Sequence, residues 1–383
     1  NKNVFVAIAL SMAVLLFWGA FVETPKAVKN NISEKKIEKN DNNISPDINE
    51  TLEIKNISRK DSIKNVERIR LENENIVGSI SLKGAIIDDV SFKKHKQNIK
   101  DGKNIVFLNP QETENGFFVE TGWTSVGNKI DVPKASSIWG VKGNRVLNEN
   151  SSITLIWKNK QGIVFKKIIE LDEKYLFKVS QVVENNSANS IDLYPYAQIT
   201  RNKIPDDIQN FYISHEGFIG VFDEELKEDD YDDIEEKKIV REANNGWLGL
   251  TDKYWVTAIV PQQGKNFKST FLYKDAFKAN YILNNPINIK PSSSNKSDMR
   301  VFVAAKEVET IDNYAADQKI DKFDLVIDWG WFYFFTKPLF FIIDYLFKFS
   351  GNFGIAIVLI TISIRLLFFP LANYSFRSMA KMK

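Results

Sequence analysis

The 383-residue chain contains no cysteine and only two histidines, His95 and His215. Without cysteine there is no disulfide framework, no thiolate metal site and no cysteine nucleophile. Two histidines leave little room for a His-rich zinc site or a His-based triad. A concentrated excess of one charge is missing too. The 51 Lys and Arg face 49 Asp and Glu, a net charge of +2, which argues against a nucleic-acid binder. What is plentiful is aromatic side chain, 13% of the residues, too much for a chain disordered throughout. With a mean hydropathy of −0.25, the averages describe a soluble protein of two or three domains.

Two segments break that average. Val4 to Val22 (VFVAIALSMAVLLFWGAFV) carries no charge, and Phe353 to Ala372 (FGIAIVLITISIRLLFFPLA) carries only Arg365. Nineteen residues make about 28 Å of helix, enough for a hydrocarbon core of about 30 Å. Both runs are predicted to span a membrane. The first is longer than a signal-peptide core and no small-x-small cleavage site follows it, so it is expected to be retained.

Charge is divided unevenly. Residues 1–22 hold one positive charge, and residues 329–383 hold six against one negative, which leaves 44 positive and 48 negative between them. The middle is thus mildly acidic and the C-terminal end basic. Arg377, Lys381 and Lys383 follow the second span and place that end in the cytoplasm by the positive-inside rule. The N-terminus is then inside and the long middle portion outside. Lys26, Lys29, Lys35 and Lys36 point the other way, but long loops largely escape that rule.

Residues 23–61, rich in Asn, Lys, Glu and Ser, are predicted to form a solvated tether between the membrane and the following domain. Its Asn-x-Ser/Thr triplets at Asn31, Asn43, Asn49 and Asn56 follow from an Asn-rich composition rather than from glycosylation. From residue 62 to about 326 the signal is β. Ile80 to Leu82 alternates, Lys83-Gly84 turns, and Ile86, Val90 and Phe92 resume. Ile153–Trp157 and Ile163–Ile168 flank a hairpin turn at Asn159–Gly162. Further runs at Phe177–Val183, Trp255–Val260, Phe267–Tyr273 and Arg300–Ala304 complete the pattern of an antiparallel sandwich. Val308 to Phe323 is expected to be helical. No catalytic constellation stands out, His215 is expected in a turn, and the acidic stretch Asp223 to Glu236 is expected to be a solvated loop.

Residues 327–350 precede the second span. Their Trp and Tyr, broken by Lys337, Asp344 and Lys348, predict an amphipathic helix in the outer interface, beginning near Pro338. Residues 351–372 are the second span, with Pro370 near its end, and 373–383 begin a cytoplasmic loop. Arg365 is the sharpest feature. A charge inside a span costs about 2.5–3.5 kcal/mol at the helix centre, and Arg365 lies about 9 Å from the cytoplasmic end. The residues alone leave two explanations open: the side chain snorkels to headgroups, or it faces a water-filled cavity and attracts an anion. Thr361 shares its face.

At this point the residues resemble a known family, the YidC membrane-protein insertases. The stretches that carry the resemblance are Phe323-Asp-Leu-Val-Ile-Asp-Trp-Gly-Trp331, Thr336-Lys-Pro-Leu-Phe340, Gly351-Asn-Phe-Gly354, Arg365, Phe369-Pro-Leu371 and Ser378-Met-Ala-Lys-Met-Lys383. In the middle, Gly78-Ser-Ile-Ser-Leu-Lys-Gly84, Ile87-Asp-Asp89, Asn245-Gly-Trp-Leu-Gly249, Thr251-Asp-Lys-Tyr-Trp255 and 302–307 agree as well. The form is Gram-negative and most similar to alphaproteobacterial members.

The resemblance implies an inner-membrane protein with a large periplasmic β-supersandwich, an interfacial helix and five core spans around a hydrophilic groove open to cytoplasm and lipid. Arg365 corresponds to an arginine that attracts acidic substrate segments, with Thr361 beside it. No ATP, metal or other cofactor and no enzymatic activity are implied. The implied partners are nascent inner-membrane proteins, the Sec translocon and the lipid bilayer, with no nucleic acid. Only the first core span is present, so the chain is expected to be one wall of the groove and a piece of a longer protein. The competing expectations are a membrane-anchored periplasmic sugar- or polymer-binding domain and a translocon adaptor.

Overall fold

A computed structural model describes Met12 and residues 57–98, 102–126, 129–206, 208, 214–330 and 332–380. The first predicted span, apart from a helical Met12, and the tether up to residue 56 lie outside the described residues. The chain divides into two compact units, 1–43 and 44–383; the sheets and the C-terminal helices belong to the second.

The alternating segments fold into two sheets of eleven and nine strands. The larger runs through Ile239–Ala243, Phe267–Lys274, Ala276–Leu283, Ile191–Arg201, Phe117–Thr124, Ile86–Lys96, Ile76–Ser81, Arg68–Glu72 and Val146–Leu147, with two short strands off this path. The smaller runs Glu225–Asp229, Gly217–Phe222, Gly246–Thr251, Trp255–Val260, Ser293–Ala305, Leu176–Asn185, Ile163–Leu171, Ile153–Lys158 and Gly140–Lys142. Among the described residues only Arg68–Glu72 and Val146–Leu147 pair in parallel. Both sheets feed one hydrophobic core, in which Phe165, Phe177, Trp247, Phe267 and Phe302 are fully buried. The result is the β-sandwich that the strand spacing predicts.

Burial separates two kinds of strand. Ile163–Leu171 alternates between buried and half-exposed positions and covers the core with one face. Gly217–Phe222, Gly246–Thr251 and Ala276–Leu283 are buried at every position, as strands covered on both faces must be. The hairpin predicted at Asn159–Gly162 forms, with Ile153 opposite Ile169 and Lys158 opposite Val164. Gly162 takes a φ of 83°, which a side chain would strain.

The acidic stretch is not the loop expected. Glu225–Asp229 is a strand and Tyr231–Glu236 a short helix. Tyr231 and Ile234, three residues apart and so on one helix face, are buried in the core. The Tyr231 ring meets Phe277 edge-on at 4.8 Å, and Asp229 is paired with Arg241 at 2.8 Å. The acidic neighbours stay outside while two apolar anchors hold the segment down. The expected helix from Val308 also stops early, at Asp317, and resumes as a 3-10 turn at Phe323–Val326. Lys319 and Lys322 both adopt a left-handed φ of 51°, which a continuous helix cannot contain.

One buried charge follows directly from strand alternation. Lys167 lies on the inward face of Ile163–Leu171 between Phe165 and Ile169. Its Nζ is 3.4 Å from the Gly84 carbonyl, 3.3 Å from that of Ala85 and 5.0 Å from the Trp139 ring centre. Burial draws its pKa down to about 7, against the opposing pull of Glu120. A lysine so depressed opposes folding in full below about 7, and the penalty is relieved between about 7 and 10.5, where the unfolded chain holds a proton that the native one does not. Stability should therefore rise with pH across that window. Lys167→Met should be more stable by about 2–4 kcal/mol near pH 7, with the difference shrinking toward zero near pH 10.5. Thermal unfolding of both forms across this range checks it, and a pH-independent difference would contradict it.

Candidate functional site

Residues 333–380 form a helical hairpin joined to the β domain. Its first helix is Tyr333–Ser350 and its second Phe353–Ala380. The first begins five residues before Pro338, so the proline removes one backbone donor inside the helix without ending it. It ends at Gly351, whose left-handed φ of 67° lets its N–H reach the Phe347 carbonyl at 2.8 Å. The Asn352 side chain then accepts from Gly354 N at 2.9 Å and Ile355 N at 3.2 Å, capping the next helix. The predicted turn at 350–352 is thus a C-cap followed by an N-cap.

Phe353–Ala380 is, among the described residues, the one helix long and apolar enough to cross a membrane, with a mean hydropathy of 2.4 over its most apolar stretch. It does not stop at Pro370 or at residue 372 but continues to Ala380. The eight further residues carry helix through the segment expected to begin a loop.

Arg365 and Thr361 lie on this helix, both exposed. The Thr361 hydroxyl donates to the Ile357 carbonyl at 2.7 Å. Arg365 makes no hydrogen bond or ion pair among the described residues. The buried positions of this helix are Ala356 and Ile360. At about 100° per residue, Arg365 lies about 180° from Ala356 and about 140° from Ile360. The two expected site residues therefore share a face turned away from the buried stripe. Close to that stripe in sequence, the rings of Phe347 and Phe353 meet at 5.9 Å across the hairpin.

Residues that sequence patterning does not single out hold the hairpin to the β domain. Phe323 and Val326 are buried in the core, where Phe323 meets Phe302 at 4.5 Å and Trp247 at 5.4 Å. That turn presents Asp324 outward. Lys337, in the second turn of the first hairpin helix, places its ammonium 2.9 Å from Asp324 and 2.9 Å from Asp312 of Val308–Asp317. Tyr333, one turn earlier, donates its hydroxyl to the same Asp324 carboxylate at 2.6 Å. The lysine also lies 5.8 Å from the Trp329 ring centre and 5.5 Å from that of Tyr333. Two carboxylates, an ammonium, a phenol and an indole thus meet in one half-buried cluster. In the sequence Lys337 reads only as a charge interrupting an apolar run; the i,i+4 spacing of Tyr333 and Lys337 is the signal that points to more.

Burial disfavours ionisation of Asp324, but hydrogen bonds from Tyr333 and Lys337 outweigh it and hold its carboxyl below the usual range. Burial likewise opposes the Lys337 charge, and the bonds to Asp324 and Asp312 raise its pKa above the ordinary lysine value. The contribution of Asp324 is present above its unfolded pKa and is lost only as pH falls through the lowered native value.

His215 serves structure. His215 Nε2 lies 2.9 Å from the Phe218 carbonyl and its backbone N–H donates to Asp328 at 3.2 Å. In a cleft of about 320 Å³, Glu120 accepts from Gln198 at 3.1 Å and Gln198 accepts from Asn280 at 3.3 Å, so these polar groups satisfy one another.

The clamp is directly testable because the chain has no native cysteine. Spin labels at Lys322→Cys and Tyr345→Cys should give a narrow distance distribution in the otherwise native protein and in Lys337→Arg. Lys337→Met, which leaves two carboxylates facing each other, should broaden it and cost about 1–3 kcal/mol of stability. An equally narrow distribution in Lys337→Met would contradict the clamp.

Comparison with known proteins agrees with this architecture. The family profile described as the YidC periplasmic domain matches residues 68–342. A membrane protein insertase YidC from Pelagibacter ubique is 48% identical over 385 residues, covering 100% of this chain and 68% of the relative. Insertases of the same name from Brucella melitensis (39% identical, 85% of this chain, 55% of the relative) and Rickettsia rickettsii (35% identical, 100% and 69%) are similar as well. Among solved structures, the chain is similar to a galactose mutarotase related enzyme from Lactobacillus acidophilus, at 13% identity over 62% of this chain and 97% of that one, TM-score 0.43. The chain spans about half to two thirds of the length of these curated relatives. It belongs to the YidC membrane-protein insertase family, as an inner-membrane protein whose β-sandwich is the family's periplasmic domain.

Proposed function

We propose that the chain supplies the periplasmic domain and one groove wall of an insertase that assists insertion and folding of inner-membrane proteins. The observation that carries this is Arg365, an exposed cation without an ion pair among the described residues, on a helix otherwise apolar enough to span a bilayer. In hydrocarbon such a charge costs about 2.5–3.5 kcal/mol. Water and a transient anion in a groove offset that cost, and an acidic segment of a nascent chain is the anion this function presents. Thr361, one turn away, offers a second polar contact on the same face. Phe353–Ala380 crosses the bilayer with its basic end in the cytoplasm, and Tyr333–Ser350 lies in the outer interface with its exposed Phe334 and Phe349 among lipid.

The insertase works alone or with the Sec translocon, and its action needs no covalent chemistry. Lowering the cost of moving a polar segment requires only a polar surface at membrane depth. The shared name of the curated relatives supports this function over a periplasmic polymer-binding domain or an adaptor.

Complementation with the full-length protein tests the role of Arg365. Arg365→Ala should slow Sec-independent insertion of substrates with acidic translocated tails by about tenfold, the equivalent of ~1.4 kcal/mol. Arg365→Glu should be more damaging because it repels the same tails, and Arg365→Lys should retain part of the activity. Insertion undiminished by both Ala and Glu would remove Arg365 from the mechanism.

A further inference from the structure

A cleft of about 1090 Å³ opens where the β domain meets the lead into the amphipathic helix. Its floor is aromatic. Trp255 stacks on Phe92 at 4.8 Å, and His95 meets Trp255 edge-on at 5.0 Å. Tyr254, 59% exposed, forms a lip. Lys94, Lys96, Lys253 and Lys306 line it, against the carboxylates Glu307 and Asp328.

The two carboxylates are already committed. Glu307 accepts from the Tyr175 hydroxyl at 3.1 Å and from Thr310 at 2.9 Å. Asp328 accepts from Gly330 N at 2.8 Å and His215 N at 3.2 Å. The cations are less engaged. The ammonium groups of Lys94 and Lys306 make no hydrogen bond or ion pair among the described residues. That of Lys253 lies 5.2 Å from the Tyr254 ring centre, and that of Lys96 donates to Asn104 at 2.6 Å. Burial draws Lys306 down to about 8, although Asp252, Asp328, Glu216 and Glu228 oppose it. His95 Nε2 is sealed from solvent without a hydrogen bond, 3.4 Å from Glu307. Four lysines against two carboxylates leave the lining of the cleft with a net positive charge.

Its position selects the anion. Ile327 and Asp328 form part of its wall. The next residue, Trp329, accepts the Thr336 hydroxyl at 2.8 Å through its carbonyl and meets Phe340 at 5.6 Å through its ring. The rim therefore touches the amphipathic helix, whose Phe334 and Phe349 are 75% and 80% exposed. A helix with such an apolar face settles at the headgroup boundary, and the cleft beside it opens at the depth of phosphates.

We propose that this cleft binds the phosphate-bearing headgroup of an anionic phospholipid of the periplasmic leaflet. The lysines take the phosphate, and the aromatic floor takes the glycerol and upper acyl carbons. This rests on placing Tyr333–Ser350 in the outer interface, and the test separates the two.

The full-length protein, reconstituted in vesicles, carries a bimane at Gln97→Cys on the cleft wall or at Phe334→Cys on the helix. Acyl-labelled quencher lipid is supplied as phosphatidylglycerol or phosphatidylcholine. At position 97, phosphatidylglycerol should quench at about a hundredfold lower mole fraction, the combined effect of three basic side chains at a membrane surface. That preference should vanish in Lys94→Glu/Lys96→Glu/Lys253→Glu and persist in Lys158→Glu/Lys160→Glu/Lys178→Glu. Equal quenching by both lipids, or equal loss in the control triple, would overturn the cleft. So would relief of quenching by an acidic peptide at concentrations below those of the lipid. Quenching at 334 with silence at 97 removes the cleft alone; silence at both removes the interfacial helix and the cleft with it.

Discussion

The architecture depends on a single lysine held between two carboxylates. Lys337 is the point at which a rigid β-sandwich passes its orientation to a helical hairpin that is nearly all apolar surface. Behind Asp324 stand Phe323 and Val326, locked in the core; beyond Lys337 run the amphipathic helix, the Phe347–Phe353 contact and the long helix that carries Arg365. Apolar surfaces alone would let the hairpin slide, because lipid is as good a neighbour for phenylalanine as another phenylalanine is. A directional, charge-assisted contact does not slide. The clamp therefore supplies the specificity that the hydrophobic contacts beside it lack.

The near-zero net charge takes on a different meaning once it is divided in space. A mildly acidic sandwich is joined to a basic, Phe-rich end, and their sum says nothing about partners. Individual placements matter instead. Lys167 sits inside the sandwich at the expense of stability, Lys337 is matched by Asp312 and Asp324, and Arg365 is unmatched among the described residues. A buried cation, a clamped cation and an open cation are three answers to one electrostatic problem, and the open one suits transient recognition.

Much of this is legible in the chain itself. The strands at Ile153–Lys158 and Ile163–Leu171 and the hairpin between them follow from period-two alternation and turn residues, as does the apolar helix from Phe353. The departures have physical causes. Asp223 to Glu236 looks like a loop because its composition is acidic, yet Tyr231 and Ile234 at helical spacing bury enough surface to fold it. Proline is a weaker breaker at 338 and 370 than its type suggests, since each helix gives up one backbone hydrogen bond there and runs on. The clamp is hidden because Asp312 and Asp324 are separated by a turn whose left-handed residues, Lys319 and Lys322, carry no glycine signal. Arg365 and Thr361 are legible as a shared face from spacing alone, whereas the side of the helix left open requires the buried positions Ala356 and Ile360.

The central claim is that the face bearing Arg365 is where a polar substrate segment travels. Photo-crosslinking in the full-length protein measures this directly, with a crosslinker at Thr361 or at Leu367, about 160° from Arg365 around the helix. A stalled nascent chain with an acidic tail should be captured from position 361, and position 367 should capture lipid alone. Equal capture of nascent chain from both positions, or capture from 367 only, would contradict the account.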